Sequence, residues 1–208
     1  MTTAPLRRRV TQQPKGDARE RRLLAAAQRL MAQDDFERAS VSELAAAAGV
    51  SRPTFYFYFQ SKDALLASVI DTTQSQIAAS LDAALRTPGP PLQRLAAAIA
   101  AAADAWWEHR ATMSAAIALA AKMPALETRM MAAMDGINEQ CTELLLTHGT
   151  APEREDRTAA QALVSTLALL NERAFSHALA TARDRADLIP LQRRLLVIWQ
   201  RTLGLPDN

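Results

Sequence analysis

Between residues 17 and 34 apolar side chains recur at Leu23, Leu24, Ala27, Leu30 and Met31, a spacing of three and four that sets them on one face of a helix. Asp17 suits its N-cap, and the pattern fades near Asp34. The next stretch, "SVSELAAAAGVSRPTFYF", predicts two short helices around a tight corner. Ser42 caps the first, which turns Leu44, Ala45 and Ala48 inward, and Gly49 suits the left-handed backbone that ends a helix. Ser51 caps the second, where Pro53 fits the first turn because the N–H it lacks has no helical acceptor there. Two short helices joined by a glycine-containing turn of about three residues form a helix-turn-helix.

The run "FYFYF" at 55–59 holds half of the ten Phe, Tyr and Trp residues in the chain. Its alternation would also fit a strand. No other segment offers that strand a partner, and the flanking caps favour a helix. Phe55 and Phe59, four apart, then face inward, while Tyr56 and Tyr58 project with their hydroxyls available. Phe57 fits either an exposed aromatic or a packed one.

Ser61 caps a long helix of about 25 residues, roughly 37 Å at 1.5 Å per residue, that stops before the prolines of "TPGPP". Further helical segments are expected near 91–109, 111–122, 124–147, 155–181 and 186–203. The expected fold is all-α. A three-helix helix-turn-helix head (17–62) carries a larger helical body (63–208), and a disordered basic arm (1–16) with Arg7, Arg8 and Arg9 precedes both. In the last segment Leu188, Leu195, Trp199 and Leu203 form one apolar series, widened by Leu191, Leu196 and Ile198. A helix apolar over so much of its circumference needs two partners, one of them in another chain.

Composition agrees with helices: hydrophobic residues make up 49% and there are only six glycines among 208 residues. Net charge is +2, but it is unevenly spread. Residues 1–62 hold eleven Lys and Arg against six Asp and Glu, and residues 63–208 hold thirteen against sixteen, so the front of the chain suits a polyanion. A lone cysteine, Cys141, excludes an internal disulfide and fits a reducing compartment. The first residues lack the apolar run of a signal peptide and the alanine-rich stretches are broken by charges, so a cytoplasmic protein without membrane spans is expected. The three histidines show no metal-binding helical spacing, and nucleophile, phosphate-loop and dinucleotide motifs are lacking. Neither an enzyme nor a cofactor is expected.

The run "VSELAAAAGVSRPTFYFYFQSKDALLASVI" resembles the head of TetR-family transcriptional regulators, in which a short helix, "AGVS", an aromatic recognition helix and "FxSKxxL" occur in this order. Within that family "SRPTFYFYF" and "NERAFSHALA" are most similar to EthR-type repressors. The resemblance implies a homodimer whose heads bind double-stranded operator DNA and whose bodies bind a small, largely apolar effector. By matching positions it sets Arg52, Thr54, Tyr56 and Tyr58 on the major-groove face, and Ser42 and Lys62 near phosphates. A solvated charge is the plainer reading of Arg52, and pairing with a carboxylate that of Lys62. The arm could follow the DNA backbone, enter a minor groove, or do little.

In the body, Leu92, Leu95, Ile99, Ala102 and Trp106 form a stripe with small central side chains, which fits either a cavity or close helix packing. Asn171 falls in the apolar series Val164, Leu167, Ala174 and Ala178, where a buried amide must find partners in a ligand or in the protein. The resemblance implies a pocket role for Asn171, with Glu172 beside it and Trp106, Met134, Phe175 and Trp199 as walls. Ordinary core or dimer interface is the alternative for each. The function implied is a ligand-responsive repressor on a palindromic operator. An architectural DNA-binding protein and a transcriptional activator are the competing readings.

Overall fold

A computed structural model describes residues 14–121 and 123–206, and every ordered element among them is helical. The first helix, α1 (Pro14–Ala32), starts before Asp17, because proline is preorganised for the first helical position. The expected arm is therefore helical at 14–16, and its remainder, with Arg7, Arg8 and Arg9, lies outside the described residues. Leu23, Ala26, Ala27 and Met31 bury the inner face of α1. Past its end Asp34 takes a φ of 60°, in the left-handed region that Asp tolerates better than most residues.

Then come α2 (Val41–Ala47), α3 (Arg52–Tyr58), α4 (Lys62–Leu85), α5 (Pro91–Glu108) and α6 (Arg110–Ala120). The single helix expected over 124–147 is two helices, α7 (Pro124–Ala133) and α8 (Asp135–His148). They break at Met134, whose carbonyl accepts from the amides of both Ile137 and Asn138, next to Gly136, a poor helix former. A 3₁₀ turn (Pro152–Glu155) precedes α9 (Arg157–Leu179), and another (Arg185–Leu188) precedes α10 (Ile189–Leu203). No helix among the described residues is long and apolar enough to cross a membrane.

The chain divides into two compact units. One holds the described residues up to Thr73 together with Ala111–Leu126, so α6 joins the helix-turn-helix side although it follows α5 in sequence. The other holds Gln74–Arg110 and the described residues from Glu127 onward. Helix α4 contributes to both.

In the second unit α5 buries Leu95, Ala98, Ile99, Ala102 and Trp106, with Ala103 and Ala105 widening the stripe. Alanines let neighbouring helices approach closely, which is the packing alternative for this face. Arg157, at the start of α9, forks between Glu139 and Glu143 of α8, and Gln161 adds a bond to Glu139. At the far end of the chain Gly204 closes α10 with a φ of 63°. There the Thr150 amide donates to the Leu203 carbonyl at 3.1 Å and the Thr150 hydroxyl to the Gly204 carbonyl at 3.1 Å. A side chain at 204 would run into Thr150.

Candidate nucleic-acid interface

Seven residues are too few for a helix to persist alone, so α2 and α3 depend on their ends. Helix α2 is capped by Ser40, not by Ser42. The Ser40 hydroxyl accepts from the Glu43 amide at 3.2 Å, and the Glu43 carboxylate accepts from the Ser40 amide at 2.7 Å. These bonds from Ser40 hold the Glu43 carboxyl below its ordinary pKa. Ser42 sits within the first turn, exposed. At the other end the Arg29 guanidinium donates to the Ala47 carbonyl at 3.0 Å, where a cation also meets the negative end of the helix dipole.

Gly49 makes the corner with a φ of 63°, a conformation a side chain would strain. Ser51 caps α3 as its position suggested: its hydroxyl lies 3.2 Å from the Thr54 amide and 2.8 Å from the Thr54 hydroxyl. Thr54 is half-buried and its hydroxyl is engaged with that of Ser51.

Helix α3 has one buried and one open side. Phe55 and Phe59 are fully buried, with ring centroids 6.0 Å apart. Tyr58 joins them at 6% exposure, against the expectation of a reading-face tyrosine. Three residues on from Phe55, it shares the inward face as fully as Phe59 does, four residues on. The open side presents Arg52, Pro53, Tyr56 and Phe57, and Gln60, past the helix end, is exposed as well. Phe57 is 49% exposed and Tyr56 45%. The Arg52 guanidinium lies over the Tyr56 ring, 5.6 Å from its centroid, within cation–π range.

Lys62 also meets a different geometry from the one expected. Its ammonium neither reaches outward nor pairs with a carboxylate. It donates to the carbonyls of Glu37 at 2.7 Å and Ala39 at 3.2 Å and sits 4.9 Å from the centroid of the buried Phe36 ring. Ser61 caps α4 as expected, its hydroxyl accepting from the Ala64 amide at 3.1 Å.

In the second unit the residues proposed for an effector fall into two pairs and two outliers. Trp106 of α5 stacks on Phe175 of α9, centroids 6.1 Å apart and planes 22° from parallel, both rings buried. The Asn171 side-chain oxygen accepts from the indole N–H of buried Trp199 at 3.0 Å. The amide's partner is thus another side chain, 28 residues away. Met134 stands at the α7–α8 break. Glu172 is exposed, with its carboxyl pushed up by partial desolvation and by Glu127.

Residues 23–69 match the model of the family described as bacterial regulatory proteins, tetR family. Over 208 aligned residues the chain is 34% identical to the HTH-type transcriptional regulator EthR of Mycolicibacterium smegmatis, covering 98% of this chain and 96% of that one. It is 35% identical over 88 residues to the HTH-type transcriptional activator FasR of the same organism, spanning 42% of this chain and 40% of FasR. The fold is similar to the crystal structure of a tetR-family transcriptional regulator from Streptomyces coelicolor, with a TM-score of 0.65 at 24% identity, over 89% of this chain and 80% of that one. A capped helix-turn-helix with an open recognition strip, set in an all-helical chain that aligns from end to end with a named regulator, makes this protein a member of the tetR family of bacterial regulatory proteins.

Proposed function

We propose that the chain is a cytoplasmic, ligand-responsive transcriptional repressor that binds a palindromic or pseudo-palindromic operator as a homodimer. The observation that carries the reading is the open strip of α3. Arg52 offers a planar fork suited to guanine O6 and N7, and the ring of Tyr56 lies under it. The Thr54 methyl and the Phe57 ring supply apolar contact for a thymine methyl. The hydroxyls of Tyr56 and Ser42 serve phosphates, while Tyr58 contributes chiefly by packing the strip from behind.

Dimerisation is supported by apolar side chains left in solvent on the last two helices: Leu169 and Leu170 of α9, and Val197 and Ile198 of α10, all 39% to 50% exposed. Two such helices from each copy would form a four-helix contact, and a two-fold pair of heads requires two related half-sites. For the effector we assign the walls to Trp106, Phe175 and Trp199, and the polar contact to Asn171, whose bond to Trp199 a ligand carbonyl could replace. Met134 and Glu172 receive no part. A ligand releases DNA only by binding the non-binding arrangement more tightly than the binding one.

The test is fluorescence anisotropy on DNA from immediately upstream of the protein's own gene, against scrambled DNA at the same salt. A preference of several kcal/mol, in the range of specific over non-specific binding, is expected. Equal affinity for both would favour the architectural reading, and no affinity for either would refute the strip. Activation is the second reading, because FasR, similar over 88 residues, is named an activator. A reporter driven by the same upstream DNA separates the two by the sign of the response.

A further inference from the structure

The arginines of the head mostly have partners. Arg29 donates to the Ala47 carbonyl, Arg38 pairs with Asp35, and Arg52 lies over the Tyr56 ring. Arg22 differs: it stands exposed on α1, and among the described residues no hydrogen bond, ion pair or ring contact engages it.

Its guanidinium nevertheless has a particular neighbour. Gly49 turns the chain between α2 and α3 without a side chain, and Nη1 of Arg22 lies 3.6 Å from the point that a Cβ at Gly49 would take. The guanidinium thus rests beside the bare corner with its donors unused, and such a group is a planar fork matched to phosphate.

The corner also stands at a suitable distance from the reading strip. Arg52 follows Gly49 by three residues, a chain reach of at most about 11 Å. A major groove is about 12 Å wide, so an Arg52 on a base edge brings the corner beside one of the phosphate strands that wall the groove. The surplus of positive charge in residues 1–62 acts in the same direction.

Resting on the DNA-binding reading above, we propose that Arg22 is a phosphate ligand of the head: it grips the DNA backbone beside the corner between α2 and α3 while Arg52 reads a base in the adjoining groove. The two arginines then have separate tasks. Arg22 adds affinity for any sequence, and Arg52 adds preference for one.

The test compares Arg22→Gln with the parent protein by fluorescence anisotropy on upstream and scrambled DNA over a series of salt concentrations. Affinity is expected to fall about tenfold on both DNAs, the loss of one charge-assisted bond, and the slope of log affinity against log salt to become shallower by about 1. Arg22→Lys, which keeps the charge and loses the fork, should return the slope to that of the parent. Because Arg22 bonds nothing in the protein, Arg22→Gln should melt at the temperature of the parent. Unchanged affinity and slope would make Arg22 a solvated charge and sink the proposal. So would a loss confined to upstream DNA at an unchanged slope, which marks base reading or an altered strip, and so would a loss that comes with a lower melting temperature. A parent protein that binds both DNAs alike would defeat the operator reading alone, since the slope still decides Arg22. A parent that binds neither would overturn both.

Discussion

Helices α2 and α3 are seven residues long, whereas α5 and α9 run to eighteen and twenty-three. The short pair is held at its ends, by Ser40 with Glu43, by Ser51 with Thr54 and by Arg29 on Ala47. Helices α5, α8 and α10 begin at Pro90, Met134 and Leu188 with no side-chain cap, while α9 is capped by Asp156. The cost of nucleating a helix is roughly fixed, so a long helix spreads it over many bonds and a broad buried face, while a short one must recover it at the termini. Loss of a terminal residue should therefore cost more at the caps of the head than at the uncapped helix starts of the second unit.

The largest effect that would sharpen this contrast is Phe175→Ala. It removes a fully buried ring stacked on Trp106 and is expected to cost ~3–5 kcal/mol, read as a shift of the urea midpoint. Asn171→Ala leaves the indole N–H of Trp199 without its acceptor, at a cost of ~1–3 kcal/mol. The same denaturation curve reads it, and no change would mean that the indole had found another acceptor.

Next come the caps. Ser51→Ala should cost ~1 kcal/mol and weaken operator binding, because Ser51 also fixes the Thr54 hydroxyl beside the recognition strip. Met134→Ala, at the uncapped start of α8, should stay within about 0.5 kcal/mol. Equal effects at the two positions would break the comparison.

The smallest effect concerns acid. The Glu43 carboxyl is held below its ordinary value of 4.5, chiefly by its bond from the Ser40 amide. A depressed folded-state pKa stabilises the fold above the unfolded value, and that contribution is lost as pH falls through the folded one. Glu43→Gln should therefore make the acid limb of a stability–pH profile shallower below about pH 4.5, leaving its shape near neutrality unchanged.

Much of the head was legible because its signals are local. Gly49, Ser51, Pro53 and Ser61 act within a few residues of themselves, and each stands where the spacing put it. The α2 cap was misplaced by two residues, although the sequence held the deciding signal: Ser40 lies three residues before Glu43, the reach of a capping box, and Ser42 only one. Tyr58 stands three residues from Phe55, a step that brings it to the same buried face as the step of four brings Phe59. The partners of Lys62 and Asn171 lie 23 to 28 residues away, on elements whose approach depends on tertiary packing, and no local pattern announces them. The same holds for α6, whose membership in the first unit follows from contacts rather than from sequence order.

The bonds from Thr150 to Leu203 and Gly204 span more than fifty residues and close only after residue 204 has been translated. Until then the end of α8 lacks this partner, and the second unit cannot complete its fold before that point. Loss of Leu203 and Gly204 would for this reason act on the whole unit and leave a species prone to proteolysis.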